Sequence, residues 1–368
     1  MTNNKAIGIV LGNISLTAGT ERAVTNLANG LSKNHKVVLI SVYSVDGDTP
    51  GYSLDDSITV VHLGMDFKKG YVGRLFLYNK LYTKITEIID TYKLKYLFGT
   101  THAYNIIISK TGDKVRTIGC EHINYKACPK PFRVLRKHAY KKLDAVVLLT
   151  NEDRQNYSFL DPKKVKVIPN ISSFVHAEKA ALDNKRIVTA GRLATQKGYD
   201  ILVEMAKDLK KAIPDWTIDI YGKGEMLPLL KERIALYELE DYVHINEPVN
   251  NIRDIFLQSS IYLMTSRNEG LPMVLIEAQT CGLPIVSFDC PEGPKEIIND
   301  SKNGYLIQPG NTEAMIYKIV RLASDKTLRR SFGDDAYETS KRFSEKEVMK
   351  KWESLINVID CNAAGEQE

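Results

Sequence analysis

Short apolar segments alternate with amphipathic stretches along this chain, and the alternation runs through it twice. The apolar segments are rich in β-branched residues and nearly continuous, which is typical of strands buried on both faces of a mostly parallel sheet. The predicted strands cover residues 6–11, 36–42, 59–61, 95–98, 116–119, 145–149, 187–190, 217–221, 242–245, 261–264 and 285–288.

The stretches between these strands have the period of helices. Leu81, Ile85, Ile88 and Ile89, for example, are spaced by one to four positions and share one helical face. The predicted helices cover residues 21–31, 72–92, 199–211, 225–235, 272–281, 294–298, 313–323 and 345–359.

The pattern lapses near residues 169–183, where small and polar residues collect. This lapse predicts an N-terminal domain over residues 1–170 and a second domain over residues 171–344. Residues 345–368 are expected to form a last helix, which packs back on the N-terminal domain, and a frayed tail. The predicted fold class is α/β, with two doubly wound, Rossmann-like domains facing a cleft. In such sheets ligands bind beyond the carboxyl ends of the strands.

Positive charge is concentrated in the first half of the chain. Residues 1–170 carry 25 Lys and Arg against 14 Asp and Glu, a net charge of +11, whereas residues 171–368 sum to −6. This asymmetry indicates either an anionic partner for the first half or a solvated surface that is rich in lysine.

The strongest basic segment spans residues 130–142, where cations are interleaved with apolar side chains. A basic amphipathic face of this kind can rest on anionic lipid, so we expect peripheral membrane contact or acceptor binding there. The candidate residues are Lys130, Arg133, Arg136, Lys137 and Lys141. No nucleic-acid-binding motif supports the competing use of such a patch, and nucleic acid is not expected as a partner.

The composition also bears on location. No apolar run approaches the roughly 20 residues of a membrane-spanning helix. The five cysteines lack the spacing of a disulfide framework or a zinc site. We therefore expect a cytoplasmic protein, placed at the inner face of the cytoplasmic membrane if the basic face binds lipid.

The most informative loop follows the predicted strand 261–264. Gly270 permits a tight turn, and Pro272 suits a first helical position. The backbone at Leu271, Pro272, Met273 and Val274 is expected to form an anion site at the positive end of the helix dipole. The free amide groups there belong to the three residues other than proline.

Two carboxylates, Glu269 and Glu277, frame this loop. Eight helical residues span about 12 Å, which is too far for the acid/base pair of a glycoside hydrolase. The two side chains are better placed to accept hydrogen bonds from hydroxyl groups on separate parts of one elongated ligand.

A second loop, residues 191–198, follows the predicted strand 187–190. Arg192 offers a planar fork of donors and Lys197 a point charge, so the two can hold a diphosphate from both sides. The loop is neither a Walker A motif nor a dinucleotide G-x-G-x-x-G motif.

Together these segments resemble the retaining glycosyltransferases of family 4. The resemblance rests on Gly191-Arg192-Leu193, Lys197-Gly198, Gly222-Lys223-Gly224, Glu269-Gly270-Leu271-Pro272, Glu277-Ala278 and Gly282-Leu283-Pro284. Ala18-Gly19-Thr20-Glu21 is similar to the Gly-Gly-x-Glu loop of that family, with alanine at the first position.

The resemblance implies a GT-B fold and a nucleotide-sugar donor held mainly by the second domain, without a metal ion or cofactor. It also implies that Arg192 and Lys197 bind the donor diphosphate, Glu277 the ribose and Glu269 the transferred sugar. The remaining donor-binding candidates are Gly19, Gly222, Glu247, Val249, Gly270, Leu271, Pro272, Met273 and Val274.

The first half has its own candidates after predicted strands. His122 follows strand 116–119, and the resemblance places a histidine there beside the donor sugar, with Glu121 orienting its ring. His102 follows strand 95–98 and is a weaker candidate. Asp46-Gly47-Asp48 spells the Asp-x-Asp of metal-dependent transferases but is interpreted as an acidic turn.

The resulting expectation is a retaining glycosyltransferase of bacterial surface-polysaccharide or glycolipid synthesis, such as lipopolysaccharide or capsule. It would move a hexose or N-acetylhexosamine from a nucleotide-diphosphate sugar, with UDP favoured, to a hydroxyl of a lipid-linked or polysaccharide acceptor. A nucleotide-sugar epimerase, a phosphorylase with pyridoxal phosphate and a non-catalytic nucleotide-sugar-binding subunit are the alternatives.

Overall fold

Two units make up the chain in the computed structural model, which describes residues 4–66, 71–122, 125, 128, 130–291 and 293–365. Unit 1 comprises Met1–Ile171 and Glu345–Glu368, and unit 2 comprises Ser172–Ser344. The division falls one residue after the predicted boundary at residue 170.

Unit 1 contains a seven-stranded parallel sheet, and six of its strands agree closely with the predicted segments, whereas the seventh was not predicted. In chain order they are β1 (Ala6–Leu11), β2 (Lys36–Ser41), β3 (Thr59–His62), β4 (Tyr96–Gly99), β5 (Arg116–Cys120), β6 (Ala145–Leu148) and β7 (Val165–Val167). The spatial order is β3-β2-β1-β4-β5-β6-β7. The helices between them are α1 (Gly19–Ser32), α2 (Tyr71–Tyr92), α3 (His102–Ile108) and α4 (Lys130–Tyr140).

The sheet of unit 1 is covered on both faces, as its continuous apolar strands require. Along β1, Ile7 and Ile9 pack into one apolar cluster, which also contains Leu27 from α1. Val10 points the other way, into a cluster that contains Ile85 from α2. The alternation of strand side chains thus fills two cores from one apolar segment.

Unit 2 repeats this architecture with six parallel strands in the order β10-β9-β8-β11-β12-β13. The strands are β8 (Arg186–Ala190), β9 (Thr217–Tyr221), β10 (Val243–Asn246), β11 (Ile261–Met264), β12 (Ile285–Phe288) and β13 (Gly304–Ile307). The helices are α5 (Tyr199–Ala212), α6 (Leu227–Leu236), α7 (Ile252–Leu257), α8 (Met273–Thr280), α9 (Pro294–Ile297), α10 (Thr312–Ser324) and α11 (Lys326–Ser340). The predicted class of two Rossmann-like α/β domains is confirmed.

The last helix, α12 (Glu345–Gly365), packs on unit 1. The Trp352 ring stacks on Phe98 with 5.3 Å between ring centroids, and the Tyr96 hydroxyl donates to the Ile356 carbonyl at 3.0 Å. The helix extends to Gly365, beyond the predicted end at residue 359. None of the helices formed by the described residues is both long and apolar enough to cross a bilayer.

Candidate active site

The best-formed site lies in unit 2, at the point where the order of its strands reverses. β8 pairs with β9 on one side and with β11 on the other. The two loops that leave the carboxyl ends of β8 and β11 therefore open at a topological switch point, where doubly wound sheets bind ligands. These loops carry Lys197 and Glu269.

Glycines let the backbones of this site approach each other closely. Gly198 has a φ of +68°, and a Cβ there would lie 2.0 Å from the Thr265 carbonyl oxygen. A Cβ at Gly222 would lie 2.0 Å from the Gly191 carbonyl oxygen. A side chain fits at neither position, so the glycines of the motif are required for the loops to pack.

Lys197 and Glu269 contact each other directly. The Lys197 ammonium donates to Glu269 Oε1 at 2.8 Å, and the Ser266 hydroxyl donates to the same oxygen at 2.6 Å. Glu269 is buried, whereas Lys197 is half-buried. The Thr265 hydroxyl also donates to the Lys197 carbonyl at 3.2 Å, which ties the lysine to the end of β11.

Arg192 lies in the same loop as Lys197 but in a different environment. Its side chain is exposed and makes no ion pair with any residue in the described part of the chain. Its five donors are therefore available to an anionic ligand.

The helix beside Glu269 begins one residue later than predicted. Pro272 is the N-cap residue, with φ −70° and ψ 106°, and Met273 is the first helical residue. The helix ends just before a glycine, close to the predicted end at residue 281: Gly282 has a φ of +73°, its amide donates to the Gln279 carbonyl at 2.8 Å, and the Leu283 amide donates to the Ala278 carbonyl at 3.0 Å. These two bonds form a Schellman motif.

The other predicted donor residues of unit 2 have mixed exposure. Glu277 is 0% exposed on α8, so the structure buries the carboxylate that was expected to bind ribose. Leu271 and Met273 are also buried, and Val274 and Gly270 are half-buried. Glu247 and Val249 are exposed in the loop after the edge strand β10, and no contact of theirs links them to Glu269. The roles of all these residues toward a ligand stay predictions.

In unit 1, His122 follows β5 as predicted, and the residue is half-buried. Both ring nitrogens are buried and have no partner among the described residues. Burial lowers the pKa of His122 to about 4, so the ring is neutral at physiological pH. The adjoining cavity is about 20 Å³, far below the ~300 Å³ of a small-ligand pocket. Contact between His122 and a sugar stays a prediction.

Glu121 does not orient the His122 ring, so that interpretation is wrong. Its carboxylate instead pairs with Arg136 Nη2 at 2.8 Å and accepts from Asn105 at 2.9 Å and from the Tyr140 hydroxyl. A carboxylate that is nine-tenths buried needs a charged partner and several donors close by, and here α3 and α4 supply them.

Arg136 was predicted to lie on an exposed basic face and is instead 1% exposed. Its guanidinium lies 4.5, 5.2 and 5.1 Å from the ring centroids of Tyr125, Tyr140 and Tyr157. The prediction failed because an ionic partner and three aromatic rings make burial of this arginine possible, and the spacing of charges along α4 does not reveal them.

The rest of the basic segment is partly exposed. Lys137 and Lys141 are exposed beside Val134 and Leu135, which are 72% and 48% exposed. Arg133 is half-buried and donates to the Cys128 carbonyl at 2.6 Å. The side chain of Lys130 lies outside the described residues.

Three further predicted positions lie elsewhere in unit 1. His102 begins α3, and burial together with the charge of Arg136 lowers its pKa. Gly19 begins α1 in open space, and the preceding Ala18 has an ordinary extended backbone with a φ of −100°. Asp48 accepts a hydrogen bond from the Val45 amide at 3.0 Å, which agrees with an acidic turn.

Several residues that build the unit 2 site were not predicted from the sequence. Ser266 precedes Glu269 by three positions and could have been found from that spacing. Arg267 and Asp200 form a bidentate ion pair at 2.7 and 2.8 Å across 67 positions of the chain, and no local pattern signals such a pair. No three His, Cys, Asp or Glu side chains in the described ranges are grouped as metal ligands would be.

Comparison with known proteins identifies the family. The model of a family described as glycosyl transferases group 1 matches residues 172–339. The amylovoran biosynthesis glycosyltransferase AmsD of Erwinia amylovora is 31% identical over 359 residues, which covers 95% of this chain and 99% of the relative. The chain therefore belongs to the group 1 glycosyltransferases, which are of GT-B type.

Two more distant matches extend this comparison. A Campylobacter jejuni enzyme is 25% identical over 354 residues, covering 92% of this chain and 95% of the relative. It is named GalNAc-alpha-(1->4)-GalNAc-alpha-(1->3)-diNAcBac-PP-undecaprenol alpha-1,4-N-acetyl-D-galactosaminyltransferase. The structure of the pneumococcal O-GlcNAc transferase GtfA, in complex with UDP and GlcNAc, matches with a TM-score of 0.79 and 18% identity. That match covers 97% of this chain and 99% of GtfA and concerns the fold.

Proposed function

We propose that this glycosyltransferase is a retaining enzyme that transfers a hexose or N-acetylhexosamine from a UDP-sugar to a hydroxyl group of a glycan. The observation that carries the proposal is the Lys197–Glu269 contact at the switch point of unit 2, with the exposed guanidinium of Arg192, which pairs with no carboxylate of the described residues, in the same loop. A nucleotide-sugar donor has the two features that this arrangement suits, an anionic diphosphate and a sugar rich in hydroxyl groups.

The two cations are proposed to stabilise the leaving group. When the bond between the anomeric carbon and the diphosphate oxygen breaks, its electron pair stays on that oxygen and negative charge develops there. Lys197, Arg192 and the free amides at the start of α8 can meet that charge without reorganisation, which is commonly the largest catalytic contribution. Glu269 is proposed to bind hydroxyl groups of the sugar.

We propose same-face attack for the transfer step. The acceptor hydroxyl forms the new bond to the anomeric carbon on the side that the diphosphate leaves, and a phosphate oxygen takes the hydroxyl proton. No metal ion or cofactor is needed in this scheme, because protein cations and amides neutralise the leaving group. His122 and His102 would act on the sugar or acceptor side.

The acceptor is proposed to be a lipid-linked or polysaccharide glycan bound by unit 1. Support comes from relatives that span almost the whole chain: AmsD is named for amylovoran biosynthesis, and the Campylobacter enzyme for an undecaprenol-linked glycan. Both names refer to those proteins, and their acceptors differ, so the proposal is limited to the glycan class.

A lipid-linked acceptor would bring the enzyme to a membrane surface. We propose that α4 makes this contact at the inner face of the cytoplasmic membrane. Support comes from its exposed Val134 and Leu135, which stand beside the exposed cations Lys137 and Lys141. Apolar side chains next to cations are what an anionic lipid surface attracts.

The experiment is a thermal-shift panel of UDP, GDP, ADP and their hexose and N-acetylhexosamine derivatives, followed by product analysis with the best donor. The proposal expects the largest stabilisation from a UDP-sugar, and transfer that persists in excess EDTA. The anomeric configuration of the product, read from its NMR coupling constants, should match that of the donor. An inverted product would refute the retaining mechanism, and stabilisation by none of these nucleotides would refute the donor class.

A further inference from the structure

The loops that carry Lys197 and Glu269 are joined by a second side chain, Arg267. Its Nη1 and Nη2 atoms donate to the two carboxylate oxygens of Asp200 at 2.8 and 2.7 Å. Nη1 also donates to the carbonyl of Thr195 at 2.6 Å. The guanidinium of Arg267 thus contacts Thr195 and Asp200, which lie before and after Lys197 in the chain.

Backbone contacts strengthen this connection between the loops. The Arg267 amide donates to the Gln196 carbonyl at 2.8 Å. In return, the Gln196 side-chain amide donates to the Asn268 carbonyl at 2.9 Å. The 3-10 turn Thr195–Lys197 is therefore bound, at two consecutive residues, to the loop that presents Glu269.

The chemistry of this contact requires an arginine. A planar fork can bind both oxygens of one carboxylate while another of its hydrogens reaches a carbonyl, whereas lysine is a single point charge. The hydrogen bonds and charge of Arg267 lower the pKa of Asp200, so both partners are ionised near neutral pH. Because Arg267 is bound to Asp200 and Thr195, it differs from Arg192, whose side chain makes no ion pair within the described ranges.

We propose that Arg267 is a positioning residue that holds the ammonium group of Lys197 at the place where the donor diphosphate binds. This inference rests on the proposed function, since it assumes that Lys197 contacts a diphosphate. Arg267 acts through Lys197 and does not itself touch the donor. Loss of the fork should let the turn Thr195–Lys197 move away from the loop after β11, so that the diphosphate site is preformed in only a fraction of the molecules.

The test measures the dissociation constant of UDP by calorimetry for Arg267→Ala, Arg267→Lys, Lys197→Ala and the double variant Arg267→Ala/Lys197→Ala. We expect Arg267→Ala to weaken UDP binding by about tenfold, in line with the typical strength of charge-assisted hydrogen bonds. Arg267→Lys should recover only a small part of that loss, because it keeps the charge but not the fork. The double variant should bind UDP no more weakly than Lys197→Ala.

A matched control is available in the same unit. Arg330 also pairs with an aspartate through exposed side chains, at 3.1 Å to Asp183, but far along the chain from both site loops. Arg330→Ala should leave the dissociation constant of UDP unchanged within a factor of two. Both arginine variants should shift the melting temperature by similar small amounts, because exposed ion pairs contribute little to stability.

Two results would overturn the inference while wild-type protein still binds UDP. One is an Arg267→Ala variant that binds UDP as well as Arg330→Ala does. The other is a double variant whose loss is the product of the two single losses, since independent effects exclude action through Lys197. Failure of the wild-type protein to bind UDP, GDP or ADP would instead refute the proposed function on which the inference depends.

Discussion

The loops of unit 2 and the end of β5 in unit 1 both carry charged residues after a parallel strand, but the cations of the two regions differ in burial and in their ionic partners. In unit 2, Lys197 is half-buried, and Arg192 is exposed and has no ionic partner in the part of the chain that the structure describes. In unit 1, the Glu121–Arg136 pair is almost fully buried, and the two side chains bind each other inside the protein.

This difference distinguishes side chains that can bind a ligand from side chains that stabilise the fold. Cations that have unused donors near solvent can exchange a protein partner for a ligand at low cost. A buried ion pair cannot, because removing either partner leaves an uncompensated charge. We therefore propose ligand binding for the unit 2 loops and structural support for the Glu121–Arg136 pair.

The largest expected effect tests the structural side of this comparison. Arg136→Met should lower the free energy of unfolding of unit 1 by about 3–5 kcal/mol, because it leaves the Glu121 carboxylate buried without its cation. The neighbouring exposed residue provides the control, and Lys137→Met should change the same quantity by less than about 0.5 kcal/mol. The measurement is urea unfolding followed by Trp352 fluorescence in a Trp216→Phe background, which reports on unit 1 alone.

Replacing both partners of the buried ion pair gives a second test of its structural role. The variant Arg136→Met/Glu121→Leu should be more stable than Arg136→Met, since no charge is then left buried. Equal stability of Arg136→Met and Lys137→Met would contradict the structural role.

The next effect tests the binding side. Lys197→Ala should lower the transfer rate by about 100-fold, because it removes a cation directed at the leaving group. Arg192→Ala should lower it by at least about tenfold, while both variants keep the wild-type melting temperature. Lys185→Ala, which removes an exposed lysine paired with Asp215, is the control. Turnover within twofold of wild type for Lys197→Ala would exclude Lys197 from the site.

Three exposed lysines at the C-terminal end of α4 allow a third test: Lys137 lies in the helix, and Lys141 and Lys142 follow it directly. Reversing Lys137, Lys141 and Lys142 to Glu should reduce partitioning onto anionic vesicles by about tenfold or more, since each cation near such a surface contributes about 1 kcal/mol. Neutral vesicles serve as the control. Unchanged partitioning would show that these lysines belong to an ordinary solvated surface.

Glu269→Gln should have a smaller effect than Lys197→Ala, and it should strengthen nucleotide binding. The glutamate partly neutralises Lys197 across 2.8 Å, so its loss should tighten UDP binding by up to about fivefold, the upper range for a partly exposed ion pair. The same variant should slow transfer, because Glu269 is assigned to the sugar. Calorimetry and a steady-state assay measure the two quantities, and weaker UDP binding would contradict the assignment.

The smallest expected effect concerns His122. Burial lowers its pKa to about 4 from the usual 6.5, so its NMR signal should not titrate between pH 5.5 and 8. Because the unfolded chain binds a proton in the range between these values and the folded chain does not, His122 should lower the stability of unit 1 as the pH falls from 6.5 to 4. A titration midpoint near 6.5, with His122→Gln used for assignment, would show that the ring is solvated.

Much of the fold could be predicted from the sequence because strand and helix periods are local. Strands β9, β11 and β12 agree residue for residue with the predicted segments, and Gly282 ends α8 as expected. Several of the segments that were missed, such as α3, β7 and β13, are too short to show a clear period, whereas α11 is a 15-residue helix that was also missed.

The candidate site was predictable only in part, because some of its contacts join residues that are far apart in the sequence. Lys197 and Glu269 lie in loops whose glycines and proline are visible in the sequence, and the structure brings the two side chains together. The burial of Arg136 depends on Glu121 and on tyrosines 11 to 21 positions away, and the Arg267–Asp200 pair spans 67 positions. Contacts of this range are set by the packing of separate elements, which local spacing does not encode.

The central claim is that unit 2 binds the diphosphate of a nucleotide sugar through Lys197 and Arg192. A crystal structure of the protein soaked with UDP tests it most directly. We predict phosphate oxygens within hydrogen-bond distance of the Lys197 ammonium and the Arg192 guanidinium. A diphosphate bound away from both side chains would contradict the claim.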